Sequence, residues 1–128
     1  MHTISFDDVE RVVGYVLNQG NDGCTYDFRS GTFVEVSQGY AVSADRICVL
    51  GPSCHKSSSA LASILFEILS HAGPIEDELH LGLWMSGLMI HVDLVEIIQD
   101  LDEAIRIGMR RNEEAIYDFA NQRDIYLD

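Results

Sequence analysis

One short stretch of the sequence brings side chains with acid–base and binding chemistry into a fixed spatial relation. Residues 79–93 read LHLGLWMSGLMIHVD, two apolar runs that flank Ser86-Gly87. A two-residue connection containing glycine is typical of a tight β-hairpin turn. A hairpin folded at Ser86-Gly87 predicts three cross-strand pairs on one face. These pairs are His80–Asp93, Gly82–His91 and Trp84–Met89.

This face is the candidate functional surface of the chain. A histidine opposite an aspartate predicts a charge-assisted pair, and Gly82 opposite His91 leaves an open spot beside Trp84. A general base oriented by a carboxylate in a partly apolar pocket has this composition. We predict that His80, Trp84, His91 and Asp93 bind a ligand. No catalytic residue is assigned, because one hairpin face cannot supply a nucleophile, oxyanion donors and a substrate pocket.

The alternative is that this face serves packing, with a terminal helix or a partner sheet covering half of it. The opposite face of the same hairpin is wholly apolar. Side chains alternate along a strand, so a register slip by one residue would mix the two faces and is disfavoured. We therefore expect the apolar face to be core. Its predicted cross-strand pairs are Met85–Leu88, Leu83–Ile90 and Leu81–Val92.

Helices are predicted on either side of this hairpin. Ser5-x-x-Asp8 is a capping box that favours a helix over 6–18, with Gly20 as its stop. Three serines from Ser57 cap a helix over 60–69 that is apolar on nearly every side. Such a helix is buried, so we expect the sheet and either another helix or a second subunit to cover it. A third helix over 104–109 is capped by Asp100 or Asp102.

Strands are predicted from β-branched and aromatic runs between turn signals. Residues 95–98 and 115–119 fit either a strand or a helix, and for the C-terminus a last hairpin is the preferred interpretation. We predict an α+β fold, with an antiparallel sheet of about four to six strands and two or three helices packed on one face. The chain forms one domain, 1–128, with an N-terminal helix in 1–20 and a sheet-and-helix core in 23–128. The strands in the first half are 24–28, 32–36, 40–43 and 46–50.

Composition limits the classes of partner. The 128 residues carry 8 Lys and Arg against 21 Asp and Glu, a net charge of −13. Direct binding to nucleic acid or to an anionic membrane requires clustered cations, so neither is predicted. A basic protein partner is compatible with this charge. The most apolar segment, 60–69, is too short to span a bilayer.

Two further features suggest sites but fail as motifs. GPSCHKSS at 51–58 follows a strand and precedes a helix, yet it lacks the glycine before lysine of a phosphate-binding loop. Cys48, Cys54 and His55 do not have the spacing of a zinc site. No metal or cofactor is predicted. An odd set of three cysteines without a signal peptide predicts a reduced, cytoplasmic protein.

Several separated strings resemble small uncharacterised proteins of bacterial phages and mobile elements, including cassette-type genes. The resemblance covers about residues 23–126 and leaves 1–20 outside. It implies a genomic context and brings no known activity, cofactor or site residue. The strings are GCTYDF (23–28), GYAVS (39–43), LGLW (81–84), IHVD (90–93), EAIRIG (103–108) and AIYDF (115–119).

Three functions are compatible with these observations. The first is a non-catalytic accessory or protein-interaction protein of a mobile genetic element. The second is an acidic mimic of nucleic acid that binds a basic host protein. The third is a small ligand-binding domain or enzyme that uses His80, His91 and Asp93. The surplus of apolar surface on the 60–69 helix and on Trp84 favours a homodimer.

Overall fold

The computed structural model describes residues 1–19, 22–34, 38–55 and 57–127, and within them it has an α+β fold. Three α-helices accompany a seven-stranded sheet in which every described strand pairing is antiparallel. The helices are α1 (Phe6–Val13), α2 (Ser58–Ala72) and α3 (Leu101–Arg110). The strands are β1 (Gly23–Asp27), β2 (Thr32–Phe33), β3 (Tyr40–Leu50), β4 (Leu79–Ser86), β5 (Met89–Ile98), β6 (Ala115–Asp118) and β7 (Arg123–Tyr126).

The predicted fold class is confirmed, but the predicted number of strands is too low. The sheet order is β2-β1-β4-β5-β3-β6-β7, so the predicted hairpin, β4–β5, lies near the centre. The two strands expected at 40–43 and 46–50 form one continuous β3. Its pairing with β5 shifts register between Ser43 and Asp45 and again between Arg46 and Cys48. Such irregularities let a strand continue through a stretch whose alternation is broken.

The predicted turn of the central hairpin is wrong by one residue. Ser86 pairs with Met89, so the loop is Gly87-Leu88 rather than Ser86-Gly87. Gly87 has a φ of 62°, and a glycine with positive φ at the first loop position is typical of a type II′ turn. Each residue therefore faces a partner two positions farther along β5 than predicted. A shift of two positions keeps every side chain on its predicted face.

The helix starts follow the predicted caps. Ser5 Oγ accepts a hydrogen bond from the Asp8 backbone N–H at 3.1 Å. Ser57 and Asp100 cap α2 and α3 through the backbone N–H groups of Ala60 and Glu103. After Val13 the chain continues as a π-helical turn over Gly14–Asn18, which ends where the first helix was predicted to end. The stop at Gly20 and positions 35–36 of the predicted 32–36 strand lie outside the described residues.

The two ambiguous segments are strands. Residues 95–98 belong to β5, and the C-terminal segment forms the preferred hairpin, with Ala115 opposite Tyr126 and Asp118 opposite Arg123. Asp118 shapes the connection, because its carboxylate accepts from the backbone N–H groups of Ala120 and Asn121. A helix continuing through 115–119 is therefore wrong.

All three helices pack on the apolar face of the sheet. Leu81, Leu83, Ile90 and Val92 are fully buried there in one core with residues of α1 and α2. A second core forms around Val42 on the same face, under α3. Helix α1 also packs on α2, where the rings of Phe6 and Phe66 meet edge to face at 5.5 Å. The apolar α2 is thus covered by another helix, one of the two predicted options.

Candidate functional site

The face of the sheet opposite the helices forms a groove of about 960 Å³. Residues from both ends of the strand order line it, including Thr25 of β1 and Asp124 of β7. A sheet whose distant strands border one groove is curled, and the groove lies on its concave side. Its volume falls within the range of typical ligand sites. The groove is therefore the candidate functional site.

Gly82 of β4 lets two larger side chains pack over it on the groove face. Gly82 lies opposite Asp93, and a Cβ built on Gly82 would stand 3.1 Å from both Trp84 Cζ3 and Val95 Cγ1. The indole and Val95 thus already occupy the space beside this glycine. The predicted open spot at Gly82 is wrong, because the shifted register moves His91 opposite Trp84.

Trp84 and His91 form one wall of the groove. Their rings are parallel within 5° with centroids 5.8 Å apart. Gly23 is the cross-strand partner of Trp84 on β1 and packs closely against it, because a Cβ on Gly23 would stand 2.7 Å from Trp84 Cβ. The indole also packs over Gly82 and along the His91 ring, and it stays partly exposed.

Asp93 is the most unusual side chain of the groove. The residue is only 1% exposed, and its Oδ2 accepts a 2.6 Å hydrogen bond from Ser43 Oγ. Its other oxygen, Oδ1, is buried and has no hydrogen-bond partner among the described residues. Burial raises the pKa of the Asp93 carboxyl, although Ser43, Arg46 and His91 act in the opposite direction. A carboxylate prefers several donors, so this site is incomplete.

A second carboxyl stands beside Asp93. Burial raises the pKa of Glu113, and the charge of Asp93 raises it further. Ser43 and Arg46 lower both pKa values, so the two carboxyls share the same neighbours. Arg46 is paired with Asp93 across β3 and β5 but forms no salt bridge within the described part of the chain. The two acids and one arginine thus form a charged cluster around Ser43.

The wider lining of the groove is acidic and aromatic. Five acidic residues line it against one arginine, and four aromatic residues face it. Tyr126 is 69% exposed, which is unusual for a tyrosine in a sheet. The acids are Asp22, Asp93, Glu113, Glu114 and Asp124, and the aromatic residues on this face are Trp84, Tyr117, Phe119 and Tyr126. The rings of Tyr15 and Phe33, at the edge of the groove, stack on each other and pack against the helix-side core.

Three of the four predicted site residues line this groove. Trp84, His91 and Asp93 lie together, whereas His80 does not reach it. The predicted His80–Asp93 pair is wrong, because His80 is opposite Val95 and its Nδ1 has no hydrogen-bond partner among the described residues. That these residues bind a ligand stays a prediction.

Ser43 and Glu113 were missed by sequence reasoning. Both reach Asp93 only because β3 lies between β5 and β6, an order that brings together residues 50 positions apart in the chain. The alternation of side chains along 40–43 could have identified Ser43, because it places Ser43 on the face of the sheet away from Val42. No local signal identifies Glu113, which lies between α3 and β6.

Ser57 and Cys24, two residues of the other sequence candidates, have structural roles. No group of three potential metal ligands occurs within the described ranges. Cys24 packs against the helix-side core, where burial raises the pKa of its thiol to about 12, so it is not a thiolate at neutral pH. Ser57 of the GPSCHKSS segment caps α2, whereas Lys56 lies outside the described residues.

Comparisons with known proteins add no identity. No family model, curated protein or solved structure matches this chain. Among the helices of the described residues, none has the length and apolar character needed to cross a bilayer.

Proposed function

We propose that this protein is a non-catalytic interaction protein that binds a basic segment of a partner protein in the concave groove of its sheet. The observation that carries this proposal is the lining of the groove, which combines five acidic residues with four aromatic ones against one arginine. Carboxylates form charge-assisted hydrogen bonds with lysine and arginine, and aromatic faces attract the same cations. The net charge of −13 adds long-range attraction for a basic partner.

The openness of the groove supports a protein partner. All three helices lie on the other face of the sheet, and tyrosines such as Tyr117 and Tyr126 stand exposed at one side of the groove. Tyrosine and tryptophan are enriched in protein interfaces, because they give large contact areas with little conformational entropy to lose. A groove bordered by strands from both ends of the sheet also has the length to hold an extended segment.

Binding is favoured over catalysis at this site. The catalytic alternative depended on a histidine oriented by Asp93, and the observed partner of Asp93 is Ser43. His91 instead stacks on Trp84. A general base needs a partner that fixes its orientation and reach, which this arrangement does not supply.

The proposal is tested with a fluorescently labelled Gly-Ser peptide that carries several arginines, measured by fluorescence anisotropy. The double variant Glu114→Gln/Asp124→Asn removes two carboxylates from the groove. We expect it to weaken binding roughly five-fold at low salt, on the basis of about 0.5 kcal/mol for each exposed ion pair. Binding should also weaken as salt is raised, because salt screens charges at the surface.

The matched control is Glu10→Gln/Glu67→Gln. It removes the same number of charges from α1 and α2, whose exposed surfaces lie on the other side of the sheet. Equal weakening by the two double variants would mean that only the net charge attracts the peptide, and the groove proposal would be wrong. Failure of the arginine peptide to bind at all would have the same meaning.

The accessory role in a mobile genetic element rests on the resemblance of residues 23–126 to phage and mobile-element proteins. An interaction protein without its own chemistry fits such a role. The genes on either side of the coding sequence test it. Recombinase or phage structural genes are expected there, and a conserved housekeeping operon would contradict the assignment.

A further inference from the structure

We infer that Asp93 and Glu113 form a specific anchor for one guanidinium group, so that a single arginine of the partner enters the floor of the groove. This inference rests on the proposed function and names the chemical group that the groove selects. Three features support it: an incomplete buried carboxylate, a second carboxyl beside it, and an aromatic wall.

The incomplete carboxylate is the first feature. Asp93 is 1% exposed and belongs to the lining of the groove. Ser43 satisfies Oδ2 at 2.6 Å, while Oδ1 has no donor within the described residues. A buried polar atom without a partner is costly, and native structures rarely contain one without a functional reason. The missing group is a hydrogen-bond donor, because an ionised carboxylate only accepts.

The second carboxyl decides which donor fits best. Glu113 lies close enough for the charge of Asp93 to raise its pKa, so the pair carries an excess of negative charge when both ionise. A guanidinium group has five N–H donors in a rigid plane and bridges two carboxylates at once. An ammonium group is a point charge that lacks this geometry. Trp84 and His91, whose parallel rings border the same groove, offer a flat surface on which the guanidinium plane can stack.

Arg46 lies opposite Asp93 but leaves the carboxylate oxygen Oδ1 without a partner among the residues that the structure describes. It is an exposed residue opposite Asp93, and its charge lowers the pKa values of both acids. It nevertheless forms no salt bridge among the described residues, so it does not satisfy Oδ1. Oδ1 is covered, so an incoming arginine must displace the atoms that cover it, and Arg46 is the exposed cation opposite Asp93. Arg46 therefore competes with the partner for the same carboxylates.

The test uses Nα-acetyl-arginine amide and its neutral isostere Nα-acetyl-citrulline amide as probes. Trp84 is the only tryptophan of the chain, so its fluorescence reports binding at the groove without a label. We expect saturable binding of the arginine probe and none of the citrulline probe. Asp93→Asn should weaken binding about tenfold or more, since a charged hydrogen bond contributes roughly 1.5–3 kcal/mol.

Two further variants separate the anchor from folding and from net charge. Arg46→Gln should strengthen binding several-fold, because it removes a competitor. An anion site would show the opposite change. Glu67→Gln on α2 should leave the affinity unchanged. Ser43→Ala retains both charges and should weaken binding less than Asp93→Asn, and circular dichroism confirms that each variant is folded.

Three results would overturn the anchor. One is equal binding of arginine and citrulline, a second is unchanged affinity in Asp93→Asn, and the third is a crystal structure in which water alone completes Asp93 Oδ1 at saturating probe. In each case, a groove-dependent response of the arginine peptide to Glu114→Gln/Asp124→Asn would leave the proposed function standing. Nα-acetyl-lysine amide is a further probe, and if it binds as tightly as the arginine probe, the choice of guanidinium is wrong.

Discussion

At Asp93, we expect a single residue to lower the stability of the fold and to raise its affinity for a partner. Its carboxyl is buried beside Glu113, and the raised pKa values of both groups mean that their ionised forms are disfavoured in the folded protein. A neutral core residue would avoid this cost. Strained or unsatisfied groups of this kind cluster at functional sites, because the partner that relieves them gains affinity.

These pKa shifts predict that mild acid stabilises the protein. A carboxyl with a raised folded-state pKa binds its proton more readily in the folded state, so the free energy of unfolding rises as pH falls from neutrality toward about 4. Below about pH 4, Asp8, Asp77 and Asp118 act in the other direction. Their pKa values are lowered in the folded protein, so these carboxylates stabilise the fold only while they are ionised, and protonation removes that stabilisation. Urea unfolding across this range should show a maximum at mildly acidic pH.

The double variant Asp93→Asn/Glu113→Gln isolates the groove from the rest of the acidic surface. It removes the two groove carboxyls with raised pKa values, while Asp45, Arg46 and His91 remain around them and Glu76, whose pKa Glu78 raises, is unchanged. We expect it to be more stable than the native chain at neutral pH and to gain less stability on acidification. An unchanged pH dependence would mean that general charge repulsion, not this cluster, controls stability.

Gly23 is a second position at which we expect a single substitution to have a large effect. A Cβ there would stand 2.7 Å from Trp84 Cβ and 2.9 Å from the Leu83 carbonyl oxygen, and backbone cannot move aside easily. Gly23→Ala should therefore lower the free energy of unfolding by about 1–3 kcal/mol and shift the Trp84 fluorescence. The control is Gly51→Ala, whose Cβ would meet nothing within 4 Å. It should be neutral or slightly stabilising in the same urea titration.

At the level of secondary structure, local sequence chemistry was sufficient to predict the helix starts and the faces of the central hairpin. Ser5, Ser57 and Asp100 each accept a backbone hydrogen bond at a helix start, as their sequence context predicts. The faces of the β4–β5 hairpin were also predictable, because alternation survives a register shift of two positions. The turn itself was not, since Ser86-Gly87 and Gly87-Leu88 both supply a glycine. The final register depends on the pairing of β4 and β5 with their other neighbours in the sheet.

The cap of α3 gives a test at this scale. Asp100 accepts from the Glu103 backbone N–H at 2.9 Å, and α3 covers the smaller of the two cores. Asp100→Ala should cost about 1 kcal/mol, and Asp100→Asn much less, because asparagine also caps helices. Thermal unfolding of the two variants measures the difference. Equal losses would show that the carboxylate charge, and not the cap, stabilises the helix.

At the scale of the whole molecule, the order of the strands in the sheet could not be predicted from the sequence. The predicted strands could be arranged in many ways, and only the order with β3 between β5 and β6 brings Ser43 and Glu113 to Asp93. That arrangement depends on contacts between residues far apart in the chain, for which hydrophobic periodicity carries no information. The candidate residues of one hairpin could therefore be predicted, but the groove around them could not.

The predicted homodimer remains to be measured. Helix α1 covers much of the apolar surface of α2, so the surface left for a second copy is the open face with Trp84 and its neighbouring tyrosines. Light scattering at micromolar concentration should give the mass of two chains. A monomeric mass would contradict the dimer, and a dimer that dissociates when arginine peptide is added would place the interface in the groove.

The position of the β4–β5 hairpin also has a kinetic consequence. A hairpin closed by two residues forms in about 1–10 μs, whereas β3 must find β5 across a stretch of chain that contains α2 and β4. The strands that meet first are thus those on which the rest of the sheet assembles. Leu83→Ala in β4 should then slow refolding, while Ile116→Val in β6 should mainly accelerate unfolding. Stopped-flow measurements on both variants would show whether the sheet grows outward from its centre.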